Sequence, residues 1–257
     1  MLPLSAGIVG PAPLPFPCRE VFVNVLIVHA HPEPQSFTTS MMQLARDTLS
    51  AAGHTVAVSD LYAMGWNPVA SAADFSQRKN ADYLVYALEQ RHGYEQGGLA
   101  PDILAEIDKL KAADLVIFSF PLYWFSTPAM LKGWIDRVLI SGLCYGGLNF
   151  YDRGRLKGKR ALVAFSLGGR EHMFGPEAIH GEIEVMLRPL LRGTLYYCGM
   201  DVLPPFAAYH VPYITPEARQ AVLDQYRDYL GKLDTLEPLR FPSLDEFDNK
   251  LYPKKAD

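Results

Sequence analysis

The chain reads as an α/β protein, a doubly wound parallel sheet of five strands within one domain. Three observations predict this. Apolar, β-branched runs such as 21–30 (VFVNVLIVHA) and 160–166 (RALVAFS) lack the in–out alternation of a half-exposed sheet. They suit parallel strands covered on both faces. Between them lie segments whose apolar residues recur at helical spacing, so strand and helix alternate along the chain. No internal repeat, low-complexity segment or second hydrophobic core divides the 257 residues.

The first strand, 21–30, ends in His29-Ala30-His31-Pro32. Ser36 then caps a helix running to about Ala52, with Gly53 as its stop. Phe37, Met41, Leu44, Ala45, Thr48 and Leu49 share one face of it. Residues 55–61 (TVAVSDL) form the second strand. The stretch 62–98 is less regular, with a helix expected around 81–91 and a glycine-rich exit. Pro101-Asp102 opens a third helix, proline in the first turn and an acid at the positive end, and it ends near Ala113. The third strand, 114–120, follows directly. A helix over 128–140 and a loop rich in glycine and tyrosine, 142–155, come next. The fourth strand, 160–166, ends in Leu167-Gly168-Gly169. A helix over 177–197 kinked at Pro189, a fifth strand starting at 200–203 and an amphipathic helix over 216–233 complete the domain. Residues 1–20, rich in proline and small side chains, read as a mobile leader ahead of a domain spanning 21–236. The segment 237–257, with three prolines and scattered charge, reads as a tail that wraps the surface.

Composition narrows the function. The net charge of −4 is scattered, which argues against nucleic-acid binding and electrostatic membrane docking. Apolar runs break well short of the roughly 20 residues a membrane span needs. Cys18, Cys144 and Cys198 are far apart and show no CxxC spacing. That argues against a zinc site or disulfide framework and fits a reducing cytoplasm.

Chemistry concentrates where strands end, the ligand-binding edge of open α/β sheets. After the third strand, Phe120-Pro121-Leu122-Tyr123-Trp124-Phe125 precedes a second proline and a helix. A Trp-Phe pair there suits a flat conjugated ring, or else caps the core. The first strand-to-helix turn, His31 to Thr39, lacks glycine and is neither a GxGxxG nor a Walker loop. It nonetheless places the hydroxyls of Ser36, Thr38 and Thr39 at a helix N-terminus, with His31 in reach of a phosphate; the plain alternative is an N-cap. Gly168-Gly169 would let a backbone approach a planar ligand closely, or simply turn the chain. His180 could stabilise charge on a ligand, or be a satisfied structural group.

Taken together, VLIVHAHPEPQSF, SDLYAMGWNP, KAADLVIFSFPLYWFSTPAMLKGWIDRV, the Gly168-Gly169 turn and AIHGE resemble the NAD(P)H:quinone oxidoreductases of the flavodoxin-like fold. The resemblance covers 24–236. It implies a homodimer with one FAD per chain, the flavin ring lying between subunits. His31, Ser36, Phe37 and Thr38 would hold the ADP and pyrophosphate. Pro121, Leu122, Tyr123, Trp124 and Phe125 would line the flavin ring, and Ser166, Leu167, Gly168 and Gly169 would contact its edge. Arg219 would lie near the adenine. Tyr145, Gly147 and Tyr197 would face the partner's flavin, where NADH or NADPH and then a quinone-like acceptor stack in a ping-pong cycle. Catalytic roles would fall to His180, Gly168 and Tyr145. Phe174 replaces a family tyrosine that assists the histidine matching His180, leaving His172 as a substitute. Gly147 replaces a second tyrosine and opens the substrate pocket. Rival functions are a flavodoxin-like electron carrier, a flavin-binding regulatory subunit of a transporter, and a nitro- or azo-reductase.

Overall fold

The structure is a computed structural model describing residues 23–254; the expected leader, 1–20, lies outside them. Strand β1 (Asn24–His29) is buried from its second residue on, and β3 (Leu115–Pro121) throughout. Both lie inside a parallel sheet with β2 (Thr55–Asp60), β4 (Arg160–Ser166) and β5 (Asp201–Val202), in the order β2-β1-β3-β4-β5. Alternate residues feed two cores. Leu26, Val28, Val116 and Phe118 pack with α3 (Pro101–Ala112) and α4 (Ala129–Val138). Val25, Ile27 and Ile117 pack with α1 (Phe37–Ala51) and α7 (Pro216–Leu230). This two-sided burial is why the strands are continuously apolar.

Helix α4 is tied to the chain that follows β2. The Arg137 guanidinium bonds Asp74 (2.9 Å) and Asp102 (2.7 Å) and lies 4.5 Å over the Trp66 ring. Trp134 Nε1 donates to the buried Glu106 carboxylate (2.8 Å), which also takes the Lys109 ammonium (2.6 Å). A Cβ on Gly133 would fall 2.2 Å from the Pro68 carbonyl oxygen, so only glycine permits this approach. Anchored in this way, α4 fixes the downstream end of the loop that leaves β3.

Three elements depart from the sequence reading. The helix expected over 81–91 is α2 (Tyr86–Gln96). The Asn80 side-chain oxygen accepts from the Asp82 and Tyr83 amides, and this turn postpones the helix. The helix expected over 177–197 is instead a loop followed by α5 (Ile183–Met186), α6 (Arg188–Leu190) and a π-helical turn, Leu191–Tyr196. Gly175 and Gly181, with φ of 155° and 73°, interrupt any helix before residue 182. The fifth strand is two pieces, β5 and β6 (Phe206–Ala208), both paired with β4. Pro204 and Pro205 between them have no amide to give the ladder. The chain after 236 lies against the body: Leu239 N donates to Val202 O (2.7 Å), and the Phe241 and Tyr196 rings are 4.9 Å apart.

Candidate functional site

The carboxyl ends of β1, β3, β4 and β6 open into one cleft of about 430 Å³. His31, Gln35, Ser36, Phe37 and Thr38 line one side and Pro121, Leu122 and Tyr123 another. Ser166, Leu167 and Gly168 form the floor, with Val211, Pro212 and Arg219 beyond. Among the described residues that line the cleft there is no acid, and Arg219 brings a positive charge to it.

One end is built for an anion. Ser36 caps α1 by accepting from Thr39 N (3.1 Å), which leaves the amides of Phe37 and Thr38 with no intrahelical acceptor. Helix N-termini bind phosphates for this reason. The His31 Nδ1 lies 2.9 Å from the Glu33 amide and 3.2 Å from the Glu33 carbonyl, so the ring is held over its own turn. Burial lowers the His31 pKa, against the pull of Glu33. Thr38 Oγ1 is 2.6 Å from Ser166 Oγ, joining α1 to the end of β4. The Arg219 guanidinium is steadied by the Val211 carbonyl (3.2 Å).

The other end is a strained aromatic turn. Tyr123 and Ser126 exchange backbone hydrogen bonds (3.1 and 2.9 Å), closing a two-residue hairpin. Its central residues, Trp124 and Phe125, both sit in the left-handed region with φ of 50° and 56°. Such turns favour Asn-Gly, and a left-handed L-residue costs roughly 1–2 kcal/mol. Trp124 is 96% exposed. A core-capping role is therefore ruled out; the strain is stored where a ligand would stack. The amides of Trp124, Phe125, Gly168 and Gly169 have no partner among the described residues, so four donors stand free around this end.

His180 stands against Phe125, ring centroids 5.2 Å apart, and against Phe174 at 5.0 Å. His172 lies exposed in a single 3₁₀ turn and makes neither contact. Phe174 also backs the glycine pair: a Cβ on Gly169 would come within 2.9 Å of its ring. His210 Nδ1 donates to the Gly168 carbonyl (2.9 Å), and Arg170 Nε donates to His210 Nε2 (3.4 Å). Tyr209 packs on Phe174 (5.6 Å), and Tyr213 lies 3.7 Å from where a Gly168 Cβ would be. The sequence reading missed Tyr209, His210 and Tyr213. They follow β6, a strand hidden by the double proline, and a strand end was the one signal available.

Tyr145 and Tyr197 do not enter this cleft within one chain. Their rings meet edge-on at 5.5 Å and line a separate depression of about 230 Å³ with Gln90, Leu139 and Cys198. Burial raises the pKa of both phenols. Gly147 is left-handed (φ 62°), with open space around it. A group with phosphates at one end and a flat ring at the other fits the main cleft's donor set: hydroxyls, helix amides and Arg219, then aromatic faces and free amides. Among the described residues no helix is long and apolar enough to cross a membrane, and no cluster suits a metal ion.

These features define a flavodoxin-like protein, and the family described as having the flavodoxin-like fold matches residues 23–232. The chain belongs to it. Within that class the chain belongs to the quinone dehydrogenases. It is 41% identical to rat NAD(P)H dehydrogenase [quinone] 1 over 226 residues, 88% of this chain and 82% of the relative. It is 42% identical to mouse ribosyldihydronicotinamide dehydrogenase [quinone] over 217 residues, 84% and 94% of the two. A Klebsiella pneumoniae protein provisionally described as a quinone reductase superposes with a TM-score of 0.87 at 35% identity, covering 90% of this chain and 94% of that one.

Proposed function

We propose that this protein is an FAD-dependent NAD(P)H:quinone oxidoreductase, a cytoplasmic homodimer whose substrate site is shared between subunits. The observation that carries the reading is the strained, exposed Trp124-Phe125 turn, set in the same strand-end edge as an anion-binding helix terminus. A redox cofactor with phosphates and a ring accounts for both. When bound, the flavin supplies two-electron chemistry, accepting a hydride from NADH or NADPH and returning it to a quinone.

The chain's own residues bind, orient and stabilise. His31, Ser36, Phe37 and Thr38 hold the pyrophosphate, and Arg219 lies at the adenine end. Pro121, Leu122, Tyr123, Trp124 and Phe125 hold the ring. The free amides at Gly168 and Gly169 would donate to its edge and stabilise negative charge there. His180, seated on Phe125, adds a donor there. Tyr145, Gly147 and Tyr197, remote from the cleft of their own chain, face the ring held by a partner. One stacking site for both substrates means that they bind in turn, a ping-pong order.

The test begins with the purified protein, which should be yellow and release FAD identified by mass. NADH and NADPH oxidation with a panel of quinones, and sedimentation at micromolar concentration, follow. Release of FMN alone, or colourless protein that FAD does not reconstitute, would refute the cofactor. A fully active monomer would refute the shared site.

A further inference from the structure

His29 closes β1, and its side chain is fully buried within an otherwise apolar strand. Ser119 is its register partner on β3, and Nδ1 lies 3.1 Å from the Ser119 hydroxyl. Nε2 lies 3.2 Å from Thr39 Oγ1, on the first turn of α1. The Thr39 hydroxyl donates to the Glu33 carbonyl (3.1 Å), and its oxygen is 2.8 Å from the Ser36 hydroxyl.

The proton directions follow from counting. Thr39 has one hydroxyl proton, and Glu33 takes it; the Thr39 oxygen then accepts the proton of Nε2. Nδ1 is left to accept from Ser119. The donors run in one direction, from β3 through a neutral imidazole to the turn that lines the cleft. Asp60 and the titratable His31 face this imidazole, and burial outweighs the pull of Asp60 to keep it neutral. With the Thr39 proton committed to Glu33, the 2.8 Å contact makes the Ser36 hydroxyl a second donor to Thr39, so the Thr39 oxygen takes Nε2–H and Ser36 O–H together and ties the turn to β1.

We propose that His29 is a positioning residue for cofactor binding: by donating to Thr39 it keeps the Thr39 hydroxyl on the Glu33 carbonyl and so holds the turn from Glu33 to Ser36, and with it the helix terminus that receives the cofactor's phosphates, in one shape. The proposal rests on the flavin reading of the cleft. Nothing in the reaction touches His29 itself.

The experiment titrates FAD into the apo-protein of wild type, His29→Leu, His29→Gln, Thr39→Val and the double variant His29→Leu/Thr39→Val. Each apo-protein's thermal midpoint is recorded alongside. Loss of one hydrogen bond at the turn should raise the Kd for FAD about tenfold in His29→Leu and in Thr39→Val. The double variant should bind no worse than Thr39→Val, because both changes break one path. His29→Gln, whose amide can donate to Thr39 and accept from Ser119, should recover most of the affinity. Thr39→Val changes no residue of β1 and carries the test if His29→Leu does not fold. Wild-type affinity in either single variant, multiplying losses in the double variant, or no recovery in His29→Gln overturns the proposal. Failure of the wild type to take up FAD overturns the cofactor reading beneath it instead.

Discussion

Trp124→Ala separates a ligand-stacking residue from a core residue. The indole is 96% exposed, so its removal leaves no cavity. The stability of the apo-protein should change by no more than about 0.5 kcal/mol, the usual range for surface substitutions. Trp124→Gly should do slightly better. It relieves a left-handed strain of roughly 1–2 kcal/mol against an added unfolded-state entropy of about 0.5–1 kcal/mol, a net gain of up to about 1.5 kcal/mol. Function should move the other way. A stacked aromatic contact is worth about 0.5–1.5 kcal/mol beyond buried area. Flavin affinity or quinone turnover should therefore fall roughly two- to thirteenfold before area is counted. Urea unfolding of the apo-protein, flavin titration and steady-state quinone reduction measure the three quantities. A loss of about 3–5 kcal/mol in stability, the cost of emptying a core site, with flavin affinity and turnover intact would refute the reasoning.

Other outcomes follow from the same geometry. His180→Ala should slow reduction of the bound flavin by NAD(P)H by one to two decades, the worth of a charge-assisted hydrogen bond of roughly 1.5–3 kcal/mol. His172→Ala, which lacks the contact with Phe125, should not; rapid mixing distinguishes them, and a defect only in His172→Ala would reassign the role. Gly133→Ala should destabilise the fold by about 1–3 kcal/mol or more through the clash with Pro68, and an unchanged Tm would show that this approach is not tight. The His29 pKa is lowered to about 4, chiefly by burial. The unfolded imidazole protonates near 6.5 and the folded one not until about 4, so stability is lost as pH falls through that window. The loss amounts to roughly 3 kcal/mol, and subtracting the His29→Leu profile from wild type isolates it. A difference that stays flat between pH 7 and 4 would show that His29 is not held neutral.

The segments that read most clearly were those where local pattern and tertiary environment agree. Residues 24–29 and 115–121 lie in continuous apolar runs because both sheet faces are covered, and the Ser36 cap stands where the sequence placed it. The stretch 177–197 misled because its apolar residues do not share a buried face: Ile179 is 82% exposed, and the glycines at 175 and 181 turn the chain first. Splitting the fifth strand around Pro204-Pro205 concealed β6. With it went Tyr209, His210 and Tyr213 at the cleft.

Sequence alone determined the fold class, the sheet's central strands and which strand-end segments carry polar and aromatic groups, since burial on two faces and helix capping leave local signatures. It also carried the family resemblance, through the run from Lys111 to Val138. Only the tertiary structure decided that Trp124 and Phe125 are strained and exposed rather than buried, that His180 and not His172 meets Phe125, and that Tyr145 and Tyr197 lie apart from their own chain's cleft. It alone showed that His29 links Ser119 to Thr39, residues 80 positions apart in sequence. The reason is the same in each case. Backbone sign, side-chain exposure and cross-strand hydrogen bonds are set by contacts between segments far apart in the chain, and no local pattern records them.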